Sequence, residues 1–163
     1  MNVGMTGHQD LGSEEDISWI TSALADQIEK LKITYGNTSL AMGADQLFAS
    51  MLRKRGINYS AIIPCLDYEE TFDSEVLKSY RSLYKDANEI IQLPYSKPEE
   101  IAFWEAGKEV VKRSDIVIAV WDGEPAKGLG GTGDVVTFCL QEGKRVVHIH
   151  SGKQKISILN PKS

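Results

Sequence analysis

Along the chain, short continuous apolar runs alternate with apolar positions at helical spacing. Residues 116–121, Ile-Val-Ile-Ala-Val-Trp, form an unbroken apolar run rich in β-branched side chains, set between Asp115 and Asp122-Gly123. A run this short and this apolar predicts a strand buried on both faces, as at the centre of a parallel sheet. Near the start, Ile17, Ile20, Leu24, Ile28 and Leu31 recur at helical intervals. Ser13 precedes them as a cap, and Glu14, Glu15 and Asp16 fill the first turn, where the helix dipole favours acids. Similar reasoning predicts strands over residues 2–6, 38–42, 59–65 (broken by Pro64), 89–93 (ended by Pro94) and 145–149. Helices follow with Leu47, Phe48, Met51 and Leu52 turned inward, over residues 75–85, from Pro98 onward with Phe103, Ala106, Val110 and Val111 buried, and from Thr132 or Gly133 to Gly143. Residues 66–74 read as an acidic loop.

Strands alternating with helices imply an α/β fold with a mostly parallel sheet and helices on both faces. Residues 1–150 carry this alternation without a linker or repeat, so they read as one domain. Residues 151–163 form a polar tail with Ile156, Ile158 and Leu159, either a short extra strand or disordered. The 163 residues carry 42% hydrophobic and 25% charged side chains, ordinary for a soluble globular chain. The net charge of -5 disfavours a nucleic-acid backbone as main partner. No apolar stretch nears the roughly 20 residues of a membrane span, and the N-terminus lacks signal-peptide character. With Cys65 and Cys139 expected as buried free thiols, the chain reads as cytoplasmic.

In such sheets ligands bind outside the carboxyl ends of the strands. Gly7-His8, Gly43-Ala44-Asp45, Asp122-Gly123 and Gly130-Gly131-Thr132-Gly133-Asp134 all fall at predicted strand ends or the helix starts that follow. The last is the most distinctive: strand 116–121, a loop with Gly128, Gly130 and Gly131, then a helix N-terminus. Glycines let a ligand approach the backbone, and free amides with the helix dipole favour an anion. The alternative is a βα turn that merely needs glycines. Asp45 either bonds a ligand hydroxyl or caps the second helix, and Asp134 either acts chemically or complements the dipole. His8 is a candidate phosphate contact or acid. Asp122 projects from the end of the central strand. Trp104 either stacks a base or packs, whereas Trp121 reads as core. His148 and His150 share a strand face but lack further ligands at metal spacing, so no metal is expected. Neither a dinucleotide G-x-G-x-x-G at the first turn, a G-x-x-x-x-G-K-[ST] loop nor a G-x-S-x-G elbow is present.

Taken together, Thr6-Gly7-His8, Gly43-Ala44-Asp45, Ser114-Asp115-Ile116-Val117-Ile118-Ala119 before Trp121-Asp122-Gly123, and Gly130-Gly131-Thr132 resemble the SLOG superfamily over residues 1–150. That Rossmann-like group includes the LOG phosphoribohydrolases, the DprA/Smf proteins and the YpsA-like proteins, the last being most similar in flavour. The resemblance implies a Rossmann-like three-layer sandwich and a nucleotide or nucleotide-derived ligand, without a cofactor. Its phosphate would sit on the amides of residues 130–133, with sugar and base near Gly7, His8, Gly43, Asp45 and Asp122. It also implies a homo-oligomer. LOG enzymes carry P-G-G-x-G-T-x-x-E, but Val135 stands where that glutamate would, and Asp134 comes one position early, a rotation of about 100° on a helix. A binding or sensing module is therefore the leading expectation. The alternative is an N-glycoside hydrolase acting on a nucleoside 5′-monophosphate, with Asp122 and Asp134 as catalytic candidates. Single-stranded DNA binding is disfavoured by the acidic charge and by the lack of a basic patch with interleaved aromatics.

Overall fold

The computed structural model describes residues 1–162. Among them, the strands are β1 (Asn2–Gly7), β2 (Tyr35–Thr38), β3 (Asn58–Cys65), β4 (Glu89–Tyr95), β5 (Ile116–Trp121), β6 (Val146–His150) and β7 (Lys155–Leu159). The helices are α1 (Glu14–Lys30), α2 (Ala44–Lys54), α3 (Ser74–Asp86), α4 (Glu100–Lys112) and α5 (Thr132–Gln141). All strands join one sheet in the order β4-β3-β2-β1-β5-β6-β7, parallel except for β7, which runs antiparallel to β6. The result is an α/β Rossmann-like sandwich. Ser163, the last residue of the tail, lies outside the described residues.

Strand β5 sets the layering because its side chains alternate between faces. Ile116, Ile118 and Val120 point into the larger core, with Ile20, Leu24, Phe48 and Leu52 of α1 and α2. Val117 and Ala119 point the other way, against Val111 of α4 and Val135, Val136 and Cys139 of α5. Residues 116–120 are each at most 2% exposed, which is why the sequence there shows no polar alternation. Helix α1 starts where its cap places it. Ser13 Oγ accepts from the Asp16 amide at 3.1 Å, and the Asp16 carboxylate accepts from the Ser13 amide at 3.1 Å, a reciprocal capping box.

Several element boundaries differ from those expected of the sequence. The second strand is Tyr35–Thr38, not residues 38–42. Gly36 and Asn37 are buried there because their surroundings complete them. Leu52 and Phe48 fill the space beside Gly36, and Asn37 Nδ2 donates to Arg113 O at 3.2 Å and Ser114 Oγ at 3.1 Å. The apolar residues after Thr38 belong instead to the connection leading to α2, in which Leu40 is fully buried at φ 56°. Pro64 does not break β3, nor does Pro94 end β4. Both strands run one residue further, and their pairing shifts register between Ile63 and Cys65, where the missing proline amide leaves a gap in the ladder. The acidic loop contains a 3-10 turn, Tyr68–Thr71.

Candidate functional site

The chain builds outward from β1 to β4, then crosses through α4 to restart at β5 on the other side of β1. β1 and β5 are thus neighbours whose following segments leave in opposite directions, so a crevice opens above their carboxyl ends. Gly7 pairs with Val120, and the His8 amide donates to Val120 O at 3.0 Å, holding both strand ends together. A cleft of about 940 Å³ lies there.

The cleft brings together Gly7, His8, Asp45, Asp122, Gly130, Gly131, Thr132 and Gly133 of the residues singled out in the sequence. Gly43, Ala44, Gly123 and Asp134 are not among its lining. Gly43 and Ala44 instead make the close approach between α2 and β1 possible. Ala44 donates its amide to His8 O at 3.2 Å, and a Cβ on Gly7 would meet the Ala44 Cβ at 2.5 Å. Gly123, at φ 85°, turns the chain beside His148 and His150. Asp134 Oδ2 accepts from the Gly130 amide at 3.0 Å, so its carboxylate helps close the glycine loop.

That loop ends in a helix without a side-chain cap. Gly131 is the N-cap residue of α5, and the Thr132 and Gly133 amides donate to no group among the described residues. Two free N–H groups at a helix N-terminus facing a cleft form an anion-binding arrangement. The glycines are required by contact as well. A Cβ on Gly133 would sit 2.9 Å from Ala126 N, and one on Gly130 would sit 2.7 Å from Trp104 N. Trp104 itself packs edge-on against Phe138 with ring centroids 5.7 Å apart, and so is a support for the loop.

Beside the glycine loop the chemistry is acidic. Asp122 Oδ1 accepts from the Glu124 amide at 2.9 Å and lies 3.3 Å from His8 Nε2. The Glu124 amide and the nearby His8 hold the Asp122 carboxyl below its ordinary range. His8 Nε2 also accepts from the Asp122 amide at 3.1 Å. These two contacts are alternatives: neutral His8 accepts the amide, and protonated His8 donates to the carboxylate. The chain's other two histidines meet the same turn. His148 Nε2 donates to Trp121 O at 2.8 Å, and His150 Nδ1 accepts from the Gly152 and Lys153 amides at 3.2 and 3.1 Å. Burial, then His148 and Lys153, lowers the His150 pKa. Among the described residues no group of three or more His, Cys, Asp or Glu side chains is placed to hold a metal.

Asp45 does not cap α2. It turns back and accepts from the Ser39 amide at 3.0 Å, only 6% exposed. Burial pushes its pKa up to about 6, partly offset by hydrogen bonds from Thr38, Ser39 and Ala41. A carboxyl pKa raised on folding adds stability that is fully present below the unfolded value of 3.8 and lost as pH rises through about 6. We predict that wild type and Asp45→Asn diverge in stability by on the order of 3 kcal/mol between pH 4 and 7. Urea melts across that range check this, and parallel profiles would refute it.

The cleft also recruits residues that the strand-end rule does not reach. Tyr68 and Phe72 come from the 3-10 turn and the residue after it, and Phe103 from α4. Their sequence signal was two aromatics inside an otherwise polar stretch. Lys127 is the only lysine or arginine of the lining, against Asp10, Asp16, Asp45, Asp122 and Glu124.

Known structures share this architecture. DNA processing protein A from Streptococcus pneumoniae superposes with a TM-score of 0.67 at 16% identity, over 90% of this chain and 49% of that one. The Helicobacter pylori protein of the same name, described through its single-stranded DNA binding mode, gives 0.65 at 18% identity over 91% and 64%. The chain shares the Rossmann-like α/β fold of these proteins. The molybdenum cofactor carrier protein of Chlamydomonas reinhardtii shares it at 0.52 and 16% identity, over 90% of this chain and 75% of that one. The chain spans about half the length of the pneumococcal protein. No protein-family model and no curated protein matches the sequence. Among the described residues no helix is long and apolar enough to cross a membrane.

Proposed function

We propose that this chain binds a nucleotide or nucleotide-derived ligand carrying one phosphoryl group. The observation that carries this is the uncapped N-terminus of α5, whose Thr132 and Gly133 amides open onto the cleft at the topological switch point. The phosphoryl group sits on residues 130–133, and the sugar hydroxyls face Asp122. The charge pattern supports a single phosphate. Lys127 and the helix dipole offset one anion, whereas Asp10, Asp16, Asp122 and Glu124 repel a longer polyphosphate or an oligonucleotide.

A second reading is the N-glycoside hydrolase, favoured by the His8–Asp122 pair at 3.3 Å. In it Asp122, held ionised, stabilises an oxocarbenium-like sugar, and His8 gives its proton to the departing base. Asp134 has no part in it because it is not among the residues that line the cleft.

Both are tested by incubating the protein with ribose 5-phosphate, nucleoside mono- and triphosphates, and a single-stranded oligonucleotide. Melting temperature, amide hydrogen exchange over residues 130–134 and free-base release are followed together. Monophosphates should stabilise the protein and protect those amides more than triphosphates do. Unchanged exchange with every phosphate compound would refute the binding reading, and preferential stabilisation by the oligonucleotide would replace it with DNA binding. Absence of base release from every nucleotide would remove the hydrolase reading, and base release that survives in Asp122→Asn would remove Asp122 from it.

A further inference from the structure

β7 is the last strand of the sheet, paired with β6 on one side and, among the described residues, with no strand on the other. Ile156 pairs with Ile149 and Ile158 with Val147, so these four side chains point to one face. Val147 and Ile149 are fully buried in the larger core, where α1 packs over β6. Ile156 and Ile158 are 38% and 48% exposed, so that cover stops short of the edge. On the opposite face Leu159 packs against the α5 core, with Ser157 and then the exposed Lys155 further along the strand. The edge thus offers unpaired main chain, an apolar strip on one face and a cation on the other.

Its charge is opposite to that of the whole chain. Residues 143–163 carry Lys144, Arg145, Lys153, Lys155 and Lys162 and no Asp or Glu, in a chain of net charge -5. Lys144 Nζ is engaged, donating to Val111 O at 2.7 Å. Lys153 and Lys155 are exposed and take part in none of the ion pairs among the described residues. A second copy pairing through β7 would set this basic segment against itself, and lysines on an edge oppose such pairing. Two isoleucines side by side on that edge do the reverse, and favour a partner of other charge that covers them. The opposite edge of the sheet, β4, contains Pro94, which has no amide to offer.

We propose that the free edge of β7 takes up an extended acidic segment of another protein as an added strand. Main-chain hydrogen bonds to β7 supply the common part of the affinity, and the side chains supply the selection. Apolar side chains at alternate positions of the segment cover Ile156 and Ile158. The Asp or Glu residues between them fall on the opposite face, where Lys155 lies, with Lys153 close by in the turn before β7.

The test selects, on the immobilised protein, from a displayed peptide library with Val or Ile fixed at alternate positions and every residue allowed between them. Asp and Glu should be enriched at the free positions. The double variant Lys153→Glu, Lys155→Glu, with folding checked by its melting temperature, should turn that enrichment to Lys and Arg. The double variant Ile156→Ser, Ile158→Ser should weaken the best acidic peptide about tenfold or more. In wild type that peptide should slow amide hydrogen exchange within residues 155–159. Selection without acidic enrichment, enrichment that the charge reversal leaves in place, or unchanged exchange in β7 overturns the proposal. Sedimentation of the protein alone tests the other occupant: a dimer abolished by Ile156→Ser, Ile158→Ser would assign the edge to a second copy and overturn the acidic segment.

Discussion

Gly43→Ala should lower the melting temperature by about 10 °C, corresponding to a loss of about 4 kcal/mol. Gly43 is the N-cap residue of α2 at φ 87° and ψ -122°, a backbone region open to glycine alone. A Cβ there would overlap the carbonyl oxygen of Gln9 and sit 2.5 Å from that of His8. Backbone cannot rotate aside as a side chain can, so α2 must move off the end of β1. The internal control is Gly56→Ala at the other end of α2. Gly56 has φ 69° but nothing within 4 Å of a new Cβ, so only the backbone strain of about 1 kcal/mol applies. Thermal melts of the two variants side by side decide the matter. If they fall together, contact with the His8-Gln9 loop is not what requires glycine at position 43. Because Asp45 and His8 flank this contact, the cleft should lose its ligand along with its stability.

Thr132→Pro should weaken binding of a phosphate-bearing ligand roughly tenfold or more while leaving the fold intact, since a hydrogen bond to a charged group contributes about 1.5–3 kcal/mol. Thr132 is the first residue of α5, where proline is accommodated because its missing amide has no helical partner. Gly131, at φ -66° and ψ 171°, already has the extended backbone that precedes proline. The substitution therefore deletes one free N–H from the proposed anion site, together with the cleft-lining Thr132 hydroxyl. Titration with ribose 5-phosphate, together with a melting curve, separates the two effects. Unchanged affinity in a folded variant would mean that the Thr132 amide does not hold the phosphate.

Where the physics is local, the sequence alone determined the structure. Ser13 and Asp16 lie three residues apart, so the start of α1 follows from neighbours in the chain. The run Ile116–Trp121 has one stable outcome, a strand buried on both faces, because nothing polar interrupts it. The alternation of strands with helices carried the α/β class, and the glycines before Thr132 marked the loop that lines the cleft. What tertiary structure decided are the residues whose partners are distant in sequence. Tyr35–Thr38 has no apolar pattern of its own. It is a strand because Leu52 and Phe48 fill the space beside Gly36, and because Ser114 and the Arg113 carbonyl satisfy Asn37. Asp134 and Asp45 looked alike, each an acid in the first turn of a helix. The folded chain gives the first to the Gly130 amide outside the cleft and buries the second inside it, where desolvation changes its acidity. Tyr68 became part of the cleft only when α4 brought Phe103 alongside it. Hydrophobic period and capping act over a few residues and can be read in order. Burial, desolvation and the partner of a polar group depend on which segments the sheet order brings together.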